Sequence, residues 1–172
     1  MSKKNFSGIR ALTASAMMAA LSIILERILA LMPASNMMDI RISLSNVPII
    51  LCGVLVSPVM GALAGVVSDI VGCFISGYAP FPILTAAPLL IGIIPGLILG
   101  KHEKYPFFKV MTAITISHLL ASFLVTTYGL CIMRGTYFVP MLITRLPSCF
   151  ANLAIDVCLV YLLLKTKISS KF

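Results

Sequence analysis

Charge is what this chain has least of. Five acidic and thirteen basic residues make up all the charge in 172 positions, 10% of the chain, where a soluble domain carries about 25%. So little charge cannot cover the surface of a water-exposed fold. Several chemistries lack their signatures too. No GxxxxGK[ST] run is present, which excludes ATP hydrolysis by a P-loop, and there is neither an HExxH nor a GxSxG. His118 has no matched cysteine or serine nucleophile at an interpretable spacing, so no enzyme activity is expected. The five cysteines, Cys52, Cys73, Cys131, Cys149 and Cys158, form no CxxC pair and four lie in apolar runs. They read as small buried side chains, not as disulfides or a metal site. Neither a cofactor nor a metal is expected.

What is present is grease. Hydrophobic residues make up 60% of the chain and the mean hydropathy is +1.10. At about 20 apolar residues per spanning helix, the length accommodates roughly five to seven spans and leaves nothing for a soluble domain. The reading is an all-α membrane protein: one domain over residues 1–172, with six transmembrane helices in a compact bundle. The spans are expected at residues 9–32, 42–56, 58–75, 83–100, 107–131 and 137–164, with residues 33–46 a partly re-entrant loop. The N-terminal apolar run is longer than a signal h-region and has no clear small-residue cleavage site after it, so it reads as a retained helix.

The net charge of +8 does not point to nucleic acid, because the basic residues flank the apolar runs. Nine of the thirteen, at the two termini and in the loop after residue 100, fall at one side of a six-span topology, and the opposite loops hold only Arg41 and Arg134. That bias places both termini in the cytoplasm of a multi-pass cell-membrane protein touching anionic lipid.

Within the spans, small and polar residues fall at helical spacing. Ala11, Ser15, Ala19, Ser22 and Glu26 share one face of the first span, and Ala16 and Ala20 make a second small pair. By spacing alone, such pairs suit packing inside the protein or docking of a separate subunit. Asp69 continues a face begun by Gly61 and Gly65, so it should look into the bundle. Thr115, His118, Ser122 and Thr126 form one polar stripe, and Arg145, Ser148, Asn152 and Asp156 another, each within a sector of about 80°. A central charge costs about 2.5–3.5 kcal/mol on insertion scales. Asp69, Arg145 and Asp156 must therefore face a polar interior, either paired with one another or lining a solute pocket. Tyr78, Phe81, Tyr137 and Phe138 fall at the ends of spans, where they anchor at the interface or stack on a flat ligand.

The runs RISLSNVPIIL, SPVMGALAGVVSDIVG, SGYAPFPILTAAPLLIGIIPGLILG and RLPSCFANLAIDV together resemble the substrate-binding S components of energy-coupling-factor vitamin transporters, most closely the folate-specific branch. The likeness extends from Ala16 to Lys165. It implies a six-helix protein that captures a vitamin from outside and works with a transmembrane coupling protein and two cytoplasmic ATPases. It also implies that Ala16 and Ala20 are the docking face.

Arg27, Arg41, Asp69, Tyr78 and Phe81 are candidate substrate-binding residues, as are His118, Ser122, Arg145 and Asn152. The chemistry of a folate fits them. Its pterin edge offers two parallel donors that a carboxylate such as Asp69 accepts bidentately, and its anionic tail suits Arg41, Arg134 or Arg145. Another small vitamin or nucleobase-like precursor fits the same scheme. A stand-alone proton-coupled carrier relaying through Asp69, His118 and Asp156 is a reading of another class, and a small membrane enzyme is a third.

Overall fold

The structure, a computed structural model, describes residues 8–30, 43–77, 79–100, 106–135 and 137–169. Among them there is no strand. The helices are α1 (Gly8–Ala30), α2 (Asn46–Leu55), α3 (Pro58–Ile75), α4 (Pro82–Leu99), α5 (Phe107–His118), α6 (Thr127–Arg134) and α7 (Phe138–Ser169). A π-helical segment, Leu119–Thr126, joins α5 to α6 without a break.

Local chemistry sets the ends. Ser57 caps α3, its Oγ accepting from the Met60 N–H at 3.2 Å, and Pro58 follows at the first helical position, where a missing N–H costs nothing. Gly77 and Gly135, with φ of 75° and 64°, turn the chain after α3 and α6 in a conformation that side chains resist. The helix α4 continues through Pro88 and Pro95.

Among the described residues five stretches are long and apolar enough to cross a bilayer: Gly8–Ile28, Pro58–Ile75, Pro82–Leu99, Phe107–Met133 and Arg145–Thr166. Their outward side chains, such as Leu12, Met17 and Leu21 on α1 and Val59, Leu63 and Phe74 on α3, are apolar and exposed. Ser15, Ser22, Ser68, Ser117, Thr127 and Asp156 are inside. A molecule greasier outside than in is built for hydrocarbon, not water. The second expected span differs. As a helix, α2 has ten residues, about 15 Å at 1.5 Å per residue, against a hydrocarbon core of about 30 Å.

Short as it is, α2 is the most enclosed element, touching α1, α3, α4 and α7, with Val47 through Ile50 and Cys52 through Val54 buried. Glycine permits this. A Cβ at Gly53 would lie 2.1 Å from the Gly92 carbonyl oxygen, one at Gly61 would lie 2.5 Å from the Gly53 Cα, and one at Gly96 would lie 2.6 Å from the Gly53 carbonyl. Backbone therefore rests on backbone where α2, α3 and α4 meet, the arrangement by which membrane helices gain dispersion contact without a hydrophobic drive. An apolar cluster joins Ile50 and Val54 of α2 to Ile91 and Leu99 of α4, Val110 and Ile114 of α5, and Val160 and Leu164 of α7.

One expected stripe is corrected. Thr115, His118, Ser122 and Thr126 share a face only if the helix is α throughout. The π segment delays the turn, and Thr127, not Thr126, is the buried threonine. On α1, Ala11, Ser15, Ala19 and Ser22 are buried as one face, whereas Glu26, Ala16 and Ala20 are exposed.

Gly53→Ala should lower the unfolding temperature in detergent by roughly 2–12 °C, from an overpacking cost of about 1–3 kcal/mol. Gly8→Ala, which would meet nothing within 4 Å, should leave it unchanged. Equal melting of the two variants in thermal scans would contradict the close backbone packing.

Candidate functional site

Two polar centres lie among these helices. The first is inside the bundle, where α5, α7 and the head of α2 converge. His118 Nε2 lies 2.8 Å from Asp156 Oδ2, and the same oxygen accepts from Asn46 Nδ2 at 3.1 Å. Asp156 is fully buried and His118 is 4% exposed. One turn earlier on α7, Asn152 Oδ1 accepts the Ser43 backbone N–H at 2.7 Å. The hydroxyls of Ser43 and Ser45 are 2.7 Å apart, and Ser22 of α1 donates to the Ser45 carbonyl at 2.9 Å. Four parts of the chain are thus tied by buried and partly buried hydrogen bonds.

Against an ionised Asp156 the hydrogen of the pair sits on Nε2, and Nδ1 accepts in the neutral imidazole or donates in the imidazolium. Among the described residues neither Nδ1 nor Asp156 Oδ1 has a hydrogen-bond partner, and both are buried. A buried polar atom left unmet costs about 1–3 kcal/mol.

The second centre is on the C-terminal half of α3. Arg27, in the last turn of α1, donates through Nη2 to the Gly72 carbonyl and to Ser76 Oγ. A cation there complements the negative end of the α3 dipole. Asp69, one turn before Gly72 carbonyl's neighbours, is half-buried at the seam with α4, and Thr85 Oγ1 donates to its Oδ2 at 2.7 Å. Thr85 also lines an apolar groove of about 400 Å³ with Val66, Ile70, Pro82, Ala86 and Leu89. Asp69 thus borders the glycine face of α3 and leans toward α4.

The expected site residues divide accordingly. His118 and Asn152 meet in the first centre. Arg27 and Asp69 belong to the second. Phe81 is half-buried and caps α4, its carbonyl accepting from Leu84 and Thr85. Ser122 sits in the π segment and Arg145 is half-buried on α7, a turn before the buried Ser148. Arg41 and Tyr78 lie outside the described residues. The sequence reading did not count Asp156, Asn46, Ser43 or Ser45 in the site. Their signal was the polar run Ser43-Leu44-Ser45-Asn46 heading an apolar helix, together with the i, i+4 pair Asn152 and Asp156.

Removing one member of a buried ionisable pair leaves the other unmet, at about 3–5 kcal/mol. His118→Leu and Asp156→Leu should each destabilise the protein strongly, and the double variant by less than the sum. Additive losses in denaturant titrations of the four proteins would contradict a direct pairing.

The profile of the family described as ECF transporter, substrate-specific component, matches residues 10–164. No curated protein matches the chain significantly. Among solved structures, the crystal structure of FolT bound with folic acid superposes with a TM-score of 0.76, at 23% sequence identity, over 91% of this chain and 93% of that one. The helical membrane fold with a polar interior and the family match over nearly the whole length lead to one conclusion: this chain belongs to the substrate-specific components of ECF transporters.

Proposed function

We propose that the chain is the membrane-embedded binding subunit of an ATP-driven uptake system that captures folate or a related pterin from outside and delivers it inward. The observation that carries the reading is the likeness of fold, over 91% of the chain, to a protein holding folic acid. The chemistry of the interior supports it. The atoms left unmet among the described residues, His118 Nδ1 and Asp156 Oδ1, suit the polar edge of a pterin, and a carboxylate at Asp69 suits its paired donors. Arg41 and Arg145 suit the anionic tail.

In this reading the second expected span, at residues 42–56, is a sixth crossing, and both termini are cytoplasmic, as the basic flanks favour. Binding energy has to be coupled to ATP elsewhere, since the chain has no P-loop. A transmembrane coupling protein and two cytoplasmic ATPases fill that role. Ala16 and Ala20, small and exposed on α1, offer the coupling protein a surface for close approach.

Calorimetric titration of the purified protein tests the ligand. Folate should bind with a dissociation constant below about 1 μM, and riboflavin and pantothenate should not compete. Asp69→Asn should weaken binding by about tenfold or more, and Asp39→Asn should not. Binding of a competitor in place of folate would overturn the ligand, and equal effects of the two substitutions would remove Asp69 from the site.

A further inference from the structure

The rod from Phe107 to Arg134 is α-helical at both ends and π-helical over Leu119–Thr126. A π turn encloses one more residue per hydrogen-bonded ring than an α turn, is rare, and is frequently found at functional sites. Side chains follow its width. Thr126 Oγ1 donates to the Ala121 carbonyl at 2.9 Å and Thr127 Oγ1 to the Ser122 carbonyl at 3.3 Å, each five residues back.

The consequence is a change of face. Val110, Ala113, Ile114, Ser117, His118 and Ala121 are buried in turn. An uninterrupted α-helix would carry that face on through Val125 and Tyr128. Instead Thr127 is fully buried and Tyr128 is 58% exposed. The segment holds a hydroxyl in the core and a ring outside it, where α geometry would do the reverse. Beside that ring is an apolar cavity of about 360 Å³, bounded by Leu124, Val125, Tyr128 and Phe138. The segment begins at the residue after His118 of the polar centre.

We propose that Leu119–Thr126 is a register switch for ligand capture. When a flat heterocycle occupies the polar interior, a π turn reverts to α, Thr127 leaves the core, and Tyr128 turns inward to cover the ring. This rests on the folate reading above and adds a specificity residue to it. The exchange is balanced, because the threonine hydroxyls and the backbone N–H groups compete for the same carbonyls, which stay bonded in either register. The gain is an aromatic pair made only with a planar ligand.

The chain has no tryptophan, so Tyr128→Trp installs a single reporter. Its emission in nanodiscs of lipid brominated high on the acyl chains, divided by that in unbrominated nanodiscs at equal folate, measures contact of the ring with lipid. Saturating folate should raise the ratio toward the unquenched value. An unchanged ratio while calorimetry shows folate bound overturns the switch and leaves the folate reading standing. Failure of folate to bind the unsubstituted protein overturns both. Deleting Leu120 should remove the extra residue and fix the rod as α with Thr127 inward. Helicity should persist and folate affinity should fall about threefold to tenfold; unchanged affinity in that variant contradicts the proposal.

Discussion

A polar group inside a bilayer has no water to fall back on, and every buried oxygen or nitrogen here must be met by the chain or by what the chain carries. The link between His118 and Asp156 is the sharpest case. It joins α5 to α7, and through Asn46 and Asn152 it reaches the head of α2. Two of its atoms, His118 Nδ1 and Asp156 Oδ1, have no hydrogen-bond partner among the described residues; in the proposed function they meet the ligand.

The rest of the fold holds that centre in place. On one side, α2, α3 and α4 rest backbone on backbone through Gly53, Gly61, Gly92 and Gly96, which fixes their spacing to within the size of a methyl group. On the other, α5 and α7 pack through branched apolar side chains, and the rod that carries His118 changes its helical register one residue later. In the proposed function, the close-packed half and the half that carries the π segment serve a protein that grips a solute and later releases it. Outside both, Leu, Val and Phe face the lipid.

Much of this was legible in the sequence, for reasons that can be named. Hydropathy measures slab thickness, and Pro and Gly punctuate helix ends, so α3 was read at residues 58–75 as it stands and α4 and α7 to within a few residues at their starts. On α1, spacing grouped Ala11, Ser15, Ala19, Ser22 and Glu26 on one face and left packing or docking open; the first four are buried and Glu26 is exposed. The π segment was not legible, because nothing in Leu119–Thr126 distinguishes it from α-helix-forming sequence. The partner of Asp156 was hidden for a related reason: Asn46 and His118 are 110 and 38 residues away. Asp69 was expected to face the interior with the glycines. Its bond to Thr85 depends on how α3 rolls against α4, which spacing on one helix does not report. The resemblance carried by RISLSNVPIIL and RLPSCFANLAIDV matched the family, and those two runs contain Ser43, Asn46, Asn152 and Asp156 of the first polar centre.

The central claim is that these polar groups are kept in hydrocarbon to hold a water-soluble, flat vitamin. The most direct measurement is the absorbance spectrum of the small molecule released by acid from protein purified without added ligand. The account predicts a pterin spectrum in near-stoichiometric amount. A near-stoichiometric flavin, or another chromophore without a pterin ring, would contradict it.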